Sequence, residues 1–246
     1  MSAAEPVAVV TGAGSGIGAA TVRALGRNGY RVACFDLNEA NAARVAAEAG
    51  DGHRAYRVNV GDEADVIAAF EAVAADFGRL DALATCAGVV DTTPFMEVSV
   101  ETFRRVHDIN VIGTFLSIRE AARTMPRGSR ICTIASVAGI RGGGLSGTAA
   151  YAASKGAVLA LTKNAARALA DRGISVNTVA PGSTRTPMID RTIQDPVQRG
   201  RIEGLIAQGR VGEPEEIAEA IAWLLSPRAS YINGSTLVAD GGMVML

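Results

Sequence analysis

Tyr151 and Lys155 stand four residues apart in Tyr151-Ala152-Ala153-Ser154-Lys155, which puts both on one face if the segment is helical. A phenol with an ordinary pKa of about 10 is a poor base at neutral pH. A nearby ammonium favours the phenolate and lowers that pKa, so the pair could exchange a proton with a substrate. The spacing alone is weak, because Tyr and Lys at this interval are also common on solvated helices.

A second chemistry lies near the N-terminus. Thr11-Gly12-Ala13-Gly14-Ser15-Gly16-Ile17-Gly18 follows an apolar run and opens into a helical pattern. Glycines let backbone approach a pyrophosphate, and a helix N-terminus offers free N–H groups with partial positive charge. Asp36 follows about 20 residues on, where a carboxylate can accept hydrogen bonds from ribose hydroxyls; its plainer role would be a helix N-cap. Beside a ribose 2′-phosphate that carboxylate would be repelled by up to roughly 4 kcal/mol per charge pair at an effective dielectric near 20. Neither Ser15 nor Leu37 is an arginine that could neutralise the phosphate. The residues favour NAD over NADP.

These groups need a scaffold, and the chain alternates short apolar runs with longer helical ones. Strands are expected at Val7–Thr11, Arg31–Asp36, Arg54–Val58, Ala82–Thr85, Ile131–Ala135, Ser175–Ala180 and Thr236–Ala239. Helices are expected at Ala19–Arg27, Glu39–Ala49, Glu63–Phe77, Glu101–Thr124, Tyr151–Asp171 and Pro214–Leu225. The alternation predicts an α/β fold of Rossmann type, doubly wound, its mostly parallel seven-stranded sheet covered by helices on both faces. No repeat or linker divides the chain, so 1–246 reads as one dinucleotide-binding catalytic domain. Pro187 to Arg210 breaks the rhythm; it is long, charged and interrupted by Pro196. It reads as a substrate lid (187–210) rather than a plain surface loop.

Composition excludes several classes. Of 246 residues 48% are hydrophobic but only 4% aromatic, so Ala, Val, Leu and Ile must fill the core. A net charge of −1 without a run of one sign is no nucleic-acid footprint. Cys34, Cys86 and Cys132 are odd in number and far apart, as expected of buried thiols in a reducing compartment. Met1 to Pro6 has no leader pattern and no apolar stretch approaches a membrane span. A cytoplasmic protein with no membrane partner is expected. The only histidines, His53 and His107, lack a metal-ligand spacing with cysteine, so no metal is expected. Ser136 has no Gly-x-Ser-x-Gly elbow, which argues against a hydrolase.

Taken in order, these motifs resemble those of the short-chain dehydrogenase/reductase family nearly from end to end. The family glycine pattern is met by Thr11, Gly12, Gly16 and Gly18, and its Tyr-x-x-x-Lys by Tyr151 and Lys155. Its catalytic serine corresponds to Ser136, its helix asparagine to Asn110, and its Pro-Gly motif to Pro181-Gly182, with Thr186 at the usual nicotinamide-amide position. Tyr231-Ile232-Asn233-Gly234 and Val238-Ala239-Asp240-Gly241-Gly242 are also typical. The resemblance implies an NAD-dependent oxidoreductase that interconverts a secondary alcohol and a ketone. Tyr151 would be the acid/base, Ser136 would hold the substrate oxygen, and Lys155 would hold the nicotinamide ribose. Asn110 would anchor a water relaying protons from Lys155. Cofactor contacts are implied at Gly12, Ser15, Gly16, Ile17, Gly18, Asp36, Leu37, Asn59, Val60, Cys86, Ala87, Gly88, Tyr151, Lys155, Pro181, Gly182, Thr184 and Thr186.

The chain departs from the family pattern at three places. Thr85-Cys86-Ala87-Gly88 replaces Asn-Asn-Ala-Gly, which puts one hydrogen bond at Cys86 in doubt. Asn59-Val60 replaces Asp-Val at the adenine, where the Asn carbonyl can still accept. The loop Gly142-Gly143-Gly144-Leu145-Ser146-Gly147 is rich in glycine and about two residues longer than in many relatives, which either shapes the substrate pocket or is neutral. The residues expected near substrate, among them Val90 and Met188, are mostly apolar and suggest a small uncharged alcohol or ketone. An alternative is an NADPH-dependent 3-oxoacyl-(acyl-carrier-protein) reductase. Arg127 and Arg172 lie near positions where such reductases carry basic residues, although arginine at a helix C-terminus is favourable without any partner. A remote alternative is a dinucleotide-sensing protein without catalysis. The resemblance, together with the apolar end Met243 to Leu246, also implies a homotetramer.

Overall fold

The computed structural model describes residues 5–143 and 148–245. Seven strands form one sheet: β1 (Val7–Thr11), β2 (Arg31–Asp36), β3 (Arg54–Arg57), β4 (Ala82–Thr85), β5 (Arg130–Ile134), β6 (Ser175–Pro181) and β7 (Thr236–Ala239). Their order is β3-β2-β1-β4-β5-β6-β7, and every pairing is parallel. The order reverses between β1 and β4, so the loops at their C-terminal ends diverge and open a crevice.

Alternation along β1 shows how the layers form. Ala8 and Val10 face a core shared with α1 (Gly16–Arg27), α2 (Glu39–Ala49) and α10 (Pro214–Leu225). Val7 and Val9 face a core shared with α3 (Glu63–Phe77), α5 (Gly113–Thr124) and α7 (Ala149–Ala168). The side-chain period of two thus builds helices onto both faces. Each fully buried Leu or Val of these layers contributes about 1.5–3 kcal/mol.

Three local departures from expectation have physical causes. The run expected as one helix over Glu101–Thr124 is α4 (Val100–His107), a π turn (Asp108–Ile112) and α5. An apolar pattern does not register one extra residue in a turn, and such bulges often mark functional positions. A five-residue helix, α6 (Val137–Arg141), follows β5 and is too short to show a period. The segment expected to be irregular holds α8 (Asp190–Gln194) and α9 (Pro196–Glu203). Pro196 opens α9 instead of breaking it, because a first-turn proline gives up no helix hydrogen bond and Asp195 caps the turn. Ile189, Ile193, Ile202, Ile206 and Val211 give this segment its own apolar cluster. Its two ends are clamped together: Thr184 bridges Gly212, Arg185 N–H donates to Gly212 O at 2.8 Å, and Gly212 N–H donates to Ser183 O at 3.0 Å. No described helix is long and apolar enough to cross a membrane.

Candidate active site

The turn after β1 carries the first part of the site. Gly12 (φ 66°) lies so close to the next crossover that a β-carbon would stand 2.7 Å from the Ala87 backbone. Thr11 fastens that contact from the other side, its Oγ1 accepting from Ala87 N–H at 3.1 Å. Ser15 is the N-cap of α1 but makes no side-chain bond to the helix, and the first turn has no acid. The leading N–H groups therefore keep their partial positive charge for an anion in the cavity.

Asp36 sits at the mouth of the same turn. Its Oδ2 accepts from Gly14 N–H at 2.8 Å and its Oδ1 from Asn38 N–H at 2.8 Å. It is not the N-cap of α2; Asn38 fills that place, its side chain accepting from Asn41 N–H. Arg57, opposite Asp36 in the strand register, pairs with Asp65 at 3.9 Å and leaves the carboxylate uncompensated by that route. Asn59 Oδ1 already accepts from Gly61 N–H at 3.1 Å, which leaves one lone pair for a further donor. At Cys86 the backbone bonds survive, with N–H donating to Thr11 O at 3.2 Å. The unpartnered buried atom falls one residue earlier, at Thr85 Oγ1. Burial pushes the Cys86 thiol up to about 12, so it is an inert wall and not a nucleophile.

The proton-handling groups come from α6 and α7. Ser136 caps α6, its Oγ accepting from Ala138 N–H at 3.1 Å, so its hydroxyl proton stays available to a second acceptor. Gly139 lets α6 lie directly on α7, which carries Ser136 to Tyr151. Lys155 is buried, and its Nζ donates to Ile134 O at 2.7 Å and lies 5.8 Å from the Tyr151 ring centre. Desolvation pulls this ammonium down to about 8. The Tyr151 phenol moves opposite to the sequence expectation: burial pushes it above its ordinary value, and a hydrogen bond with Ser136 pulls part of the way back. Lys155 alone does not lower it in this fold, because burial is the larger influence.

Asn110, expected to anchor a water relaying protons from Lys155, has its side chain engaged within the fold. Asn110 is fully buried in the π turn and does not line the cavity. Its Oδ1 accepts from Val89 N–H at 2.8 Å, and its Nδ2 donates to Val89 O at 2.9 Å and Ser154 Oγ at 3.0 Å. With these bonds in place the side chain braces the Gly88–Val89 wall against α7 and has no reach toward solvent.

A single cavity of about 690 Å³ joins these parts. Every residue to which cofactor contact was assigned lines it, from Gly12 and Ser15 through Asp36, Leu37, Asn59 and Val60 to Thr184 and Thr186. The fit to a nicotinamide dinucleotide rests on the uncapped α1 terminus at one place and the buried Lys155 ammonium at another. Among the described residues no carboxylate pairs with Lys155, which suits it to neutral hydroxyl acceptors. Of the residues expected near substrate, Met188 lines the cavity, as do Ile202 and Leu205 of the 187–210 segment, whereas Val90 does not; sequence reasoning missed Val89, Arg141, Ser183 and Met243. The isoleucines at 189 and 193 and at 202 and 206 form two pairs four residues apart, a signal that could have revealed the folded segment carrying Ile202 and Leu205. Of the glycine-rich loop, Gly142 and Gly143 are described and Gly143 reaches the cavity, while 144–147 lie outside the described residues. Among the described residues no His, Cys, Asp and Glu cluster could hold a metal ion.

Comparison with known proteins agrees with this arrangement. A family model described as Enoyl-(Acyl carrier protein) reductase matches residues 12–244. The chain is 40% identical over 243 residues to a 2,5-dichloro-2,5-cyclohexadiene-1,4-diol dehydrogenase of Sphingobium indicum, covering 97% of this chain and 96% of that one. It is 37% identical to a 3-oxoacyl-(acyl-carrier-protein) reductase of Escherichia coli, covering 98% of both. Among solved structures, a short-chain dehydrogenase/reductase titled glucose/ribitol dehydrogenase from Brucella melitensis superposes with a TM-score of 0.93 at 31% identity, over 98% of this chain and 97% of that one. The family binds nicotinamide dinucleotides and its members here act on alcohol- and ketone-like groups. With glycine turn, serine, tyrosine and lysine gathered around one cavity, the chain belongs to the short-chain dehydrogenase/reductase family of oxidoreductases.

Proposed function

We propose that the protein is an NAD-dependent oxidoreductase that interconverts a secondary alcohol and a ketone, with Tyr151 as general acid/base. The observation that carries this reading is the convergence of Ser136, Tyr151 and Lys155 on a cavity whose far end holds the α1 terminus and Asp36. When bound, the nicotinamide dinucleotide supplies the hydride acceptor or donor. Ser136 holds the substrate oxygen near the phenol. During oxidation the Tyr151 oxygen takes the hydroxyl proton, and during reduction it returns it. Lys155 would hold the nicotinamide ribose through hydrogen bonds, and the Ser136 hydroxyl opposes the burial that keeps the phenol protonated. Asn110 positions the Gly88–Val89 wall. Acid–base help of this kind contributes about 10²–10⁴ in rate, and positioning adds more.

NAD is the cofactor in this reading because Asp36 accepts ribose hydroxyls and repels a 2′-phosphate. The segment 187–210 serves as lid, within one domain spanning 1–246. Exposed apolar side chains on and beside α4 and α5 (Phe95, Met96, Val100, Ile112 and Phe115), with Tyr231 and Met245 elsewhere, support a homotetramer. A monomeric mass by light scattering at micromolar concentration would end that part. Three free cysteines suit a reducing, cytoplasmic setting.

The carrier-protein reading gains nothing from its two arginines. Arg127 donates to Asp171 O at 2.8 Å and Arg172 to Met125 O at 3.3 Å, so both satisfy carbonyls of their own fold. The test is oxidation of a panel of secondary alcohols, sugar alcohols, hydroxysteroids and 3-hydroxyacyl thioesters with NAD⁺. Turnover of the thioesters alone, with NADP⁺ preferred, would reverse the choice.

A further inference from the structure

The cavity lining includes the apolar side chains Met188, Ile202, Leu205 and Met243 and, among the described residues, one cation besides Lys155. Arg141 closes α6, the helix that Ser136 caps, and lines the cavity from its exposed last turn. Among the described residues it makes no ion pair, and unlike Arg127, Arg130 and Arg172, whose guanidinium groups donate to acceptors of their own fold, it makes no side-chain hydrogen bond. Among the described residues Asp36 is the only acid lining the cavity, and it is engaged by Gly14 and Asn38. We propose that Arg141 receives a carboxylate of the substrate, so that the preferred substrates are secondary alcohols and ketones bearing a carboxylate several bonds from the reacting carbon. This rests on the functional reading above and replaces the uncharged substrate suggested by the sequence.

The geometry also sets the spacing. Five residues of helix separate Ser136 from Arg141, roughly 7–8 Å along the axis at about 1.5 Å per residue. An acid group adjacent to the carbinol carbon would be held beside Ser136, short of the guanidinium. One placed three or more bonds away can reach it, its methylenes accommodated by the apolar part of the lining. A planar guanidinium takes a carboxylate through two parallel N–H bonds, which neither an ester nor an amide reproduces.

The test is kcat/KM with NADH for 4-oxopentanoate and 5-oxohexanoate, their methyl esters, 2-oxobutanoate and cyclohexanone, in the wild type, Arg141→Gln and Arg141→Lys. Expected is a preference for acid over ester in the wild type. Arg141→Gln should lose about 10- to 100-fold on the acids and little on the esters or cyclohexanone. Arg141→Lys should restore part of that, and thermal unfolding of both variants should match the wild type. Equal rates on acid and ester, a loss in Arg141→Gln that is uniform across the panel, or 2-oxobutanoate as the best acid would each overturn the proposal. Reduction of cyclohexanone with none of the acids would overturn it and leave the oxidoreductase reading standing. Failure to reduce any ketone would remove both.

Discussion

Gly139 lies directly on Lys155: a β-carbon at Gly139 would stand 2.5 Å from the Lys155 carbonyl carbon and 2.6 Å from Gly156 N. No rotamer change relieves a clash with backbone. The distance from Ser136 on α6 to Tyr151 on α7 is therefore set by the absence of one methyl group. Gly139→Ala should push the two helices apart, destabilise the fold by about 1–3 kcal/mol and lower kcat more than it weakens cofactor binding. Thermal unfolding with steady-state kinetics would check this, and a variant with wild-type kcat would show that the helix contact does not position Ser136.

Tyr151→Phe should reduce kcat by at least about three orders of magnitude while leaving cofactor affinity nearly unchanged. Only the phenol oxygen exchanges the proton in the proposed mechanism. A variant that keeps a tenth of the activity would require another base.

Lys155 offers a prediction about stability. Its folded pKa of about 8 lies below the ordinary lysine value because burial disfavours the ammonium. Between the two pKa values the unfolded chain binds more protons, so stability contributed by this group rises as pH climbs from about 8 toward 10.4. Lys155→Met should abolish this rise, leave the protein at least as stable as the wild type at pH 7, and still destroy activity. Denaturant unfolding at pH 7 and 9.5 would measure it. A markedly less stable Lys155→Met at pH 7 would mean that the Ile134 hydrogen bond outweighs the cost of the buried charge.

The acid/base role proposed for Tyr151 fixes the sign of the rate profile, and its raised pKa moves the change toward alkaline pH. Oxidation needs the phenolate and reduction the phenol, so kcat/KM for oxidation should rise with pH while that for reduction falls. Rate profiles in both directions would show it, and an oxidation rate that falls from pH 7 to 9 would remove Tyr151 from the role.

Cofactor choice separates the two enzymatic readings. A preference for NAD of about 10²–10³ in kcat/KM, or roughly 3–4 kcal/mol, is expected from the charge on Asp36. Replacing Asp36 by Ala and Leu37 by Arg should shrink or reverse it without affecting chemistry at Tyr151. The measurement is kcat/KM for both cofactors with one substrate. Equal use of NADPH by the unaltered protein would defeat the Asp36 argument.

Legibility from sequence depended on length and burial. β1, β2, β4 and β7 are read to the residue because short, mostly apolar runs end at a Thr or Asp or just before one. The glycine turn after β1 was equally legible, since backbone contacts such as Gly12 on Ala87 require glycine there. Helices of five or eight residues were not legible, since α6, α8 and α9 show too few turns for a period to emerge. The bracing role of Asn110 was hidden for a different reason. It depends on a one-residue bulge and on Val89, which comes from a separate crossover.

The clamp between Ser183–Arg185 and Gly212 has an evolutionary consequence. Because backbone bonds tie the two ends of the intervening segment together, its removal or replacement would leave a gap that a tight turn can close. The segment is built as an exchangeable cassette with its own small core. Exchanging such a cassette would change the molecules admitted while leaving the groups on α6 and α7 in place.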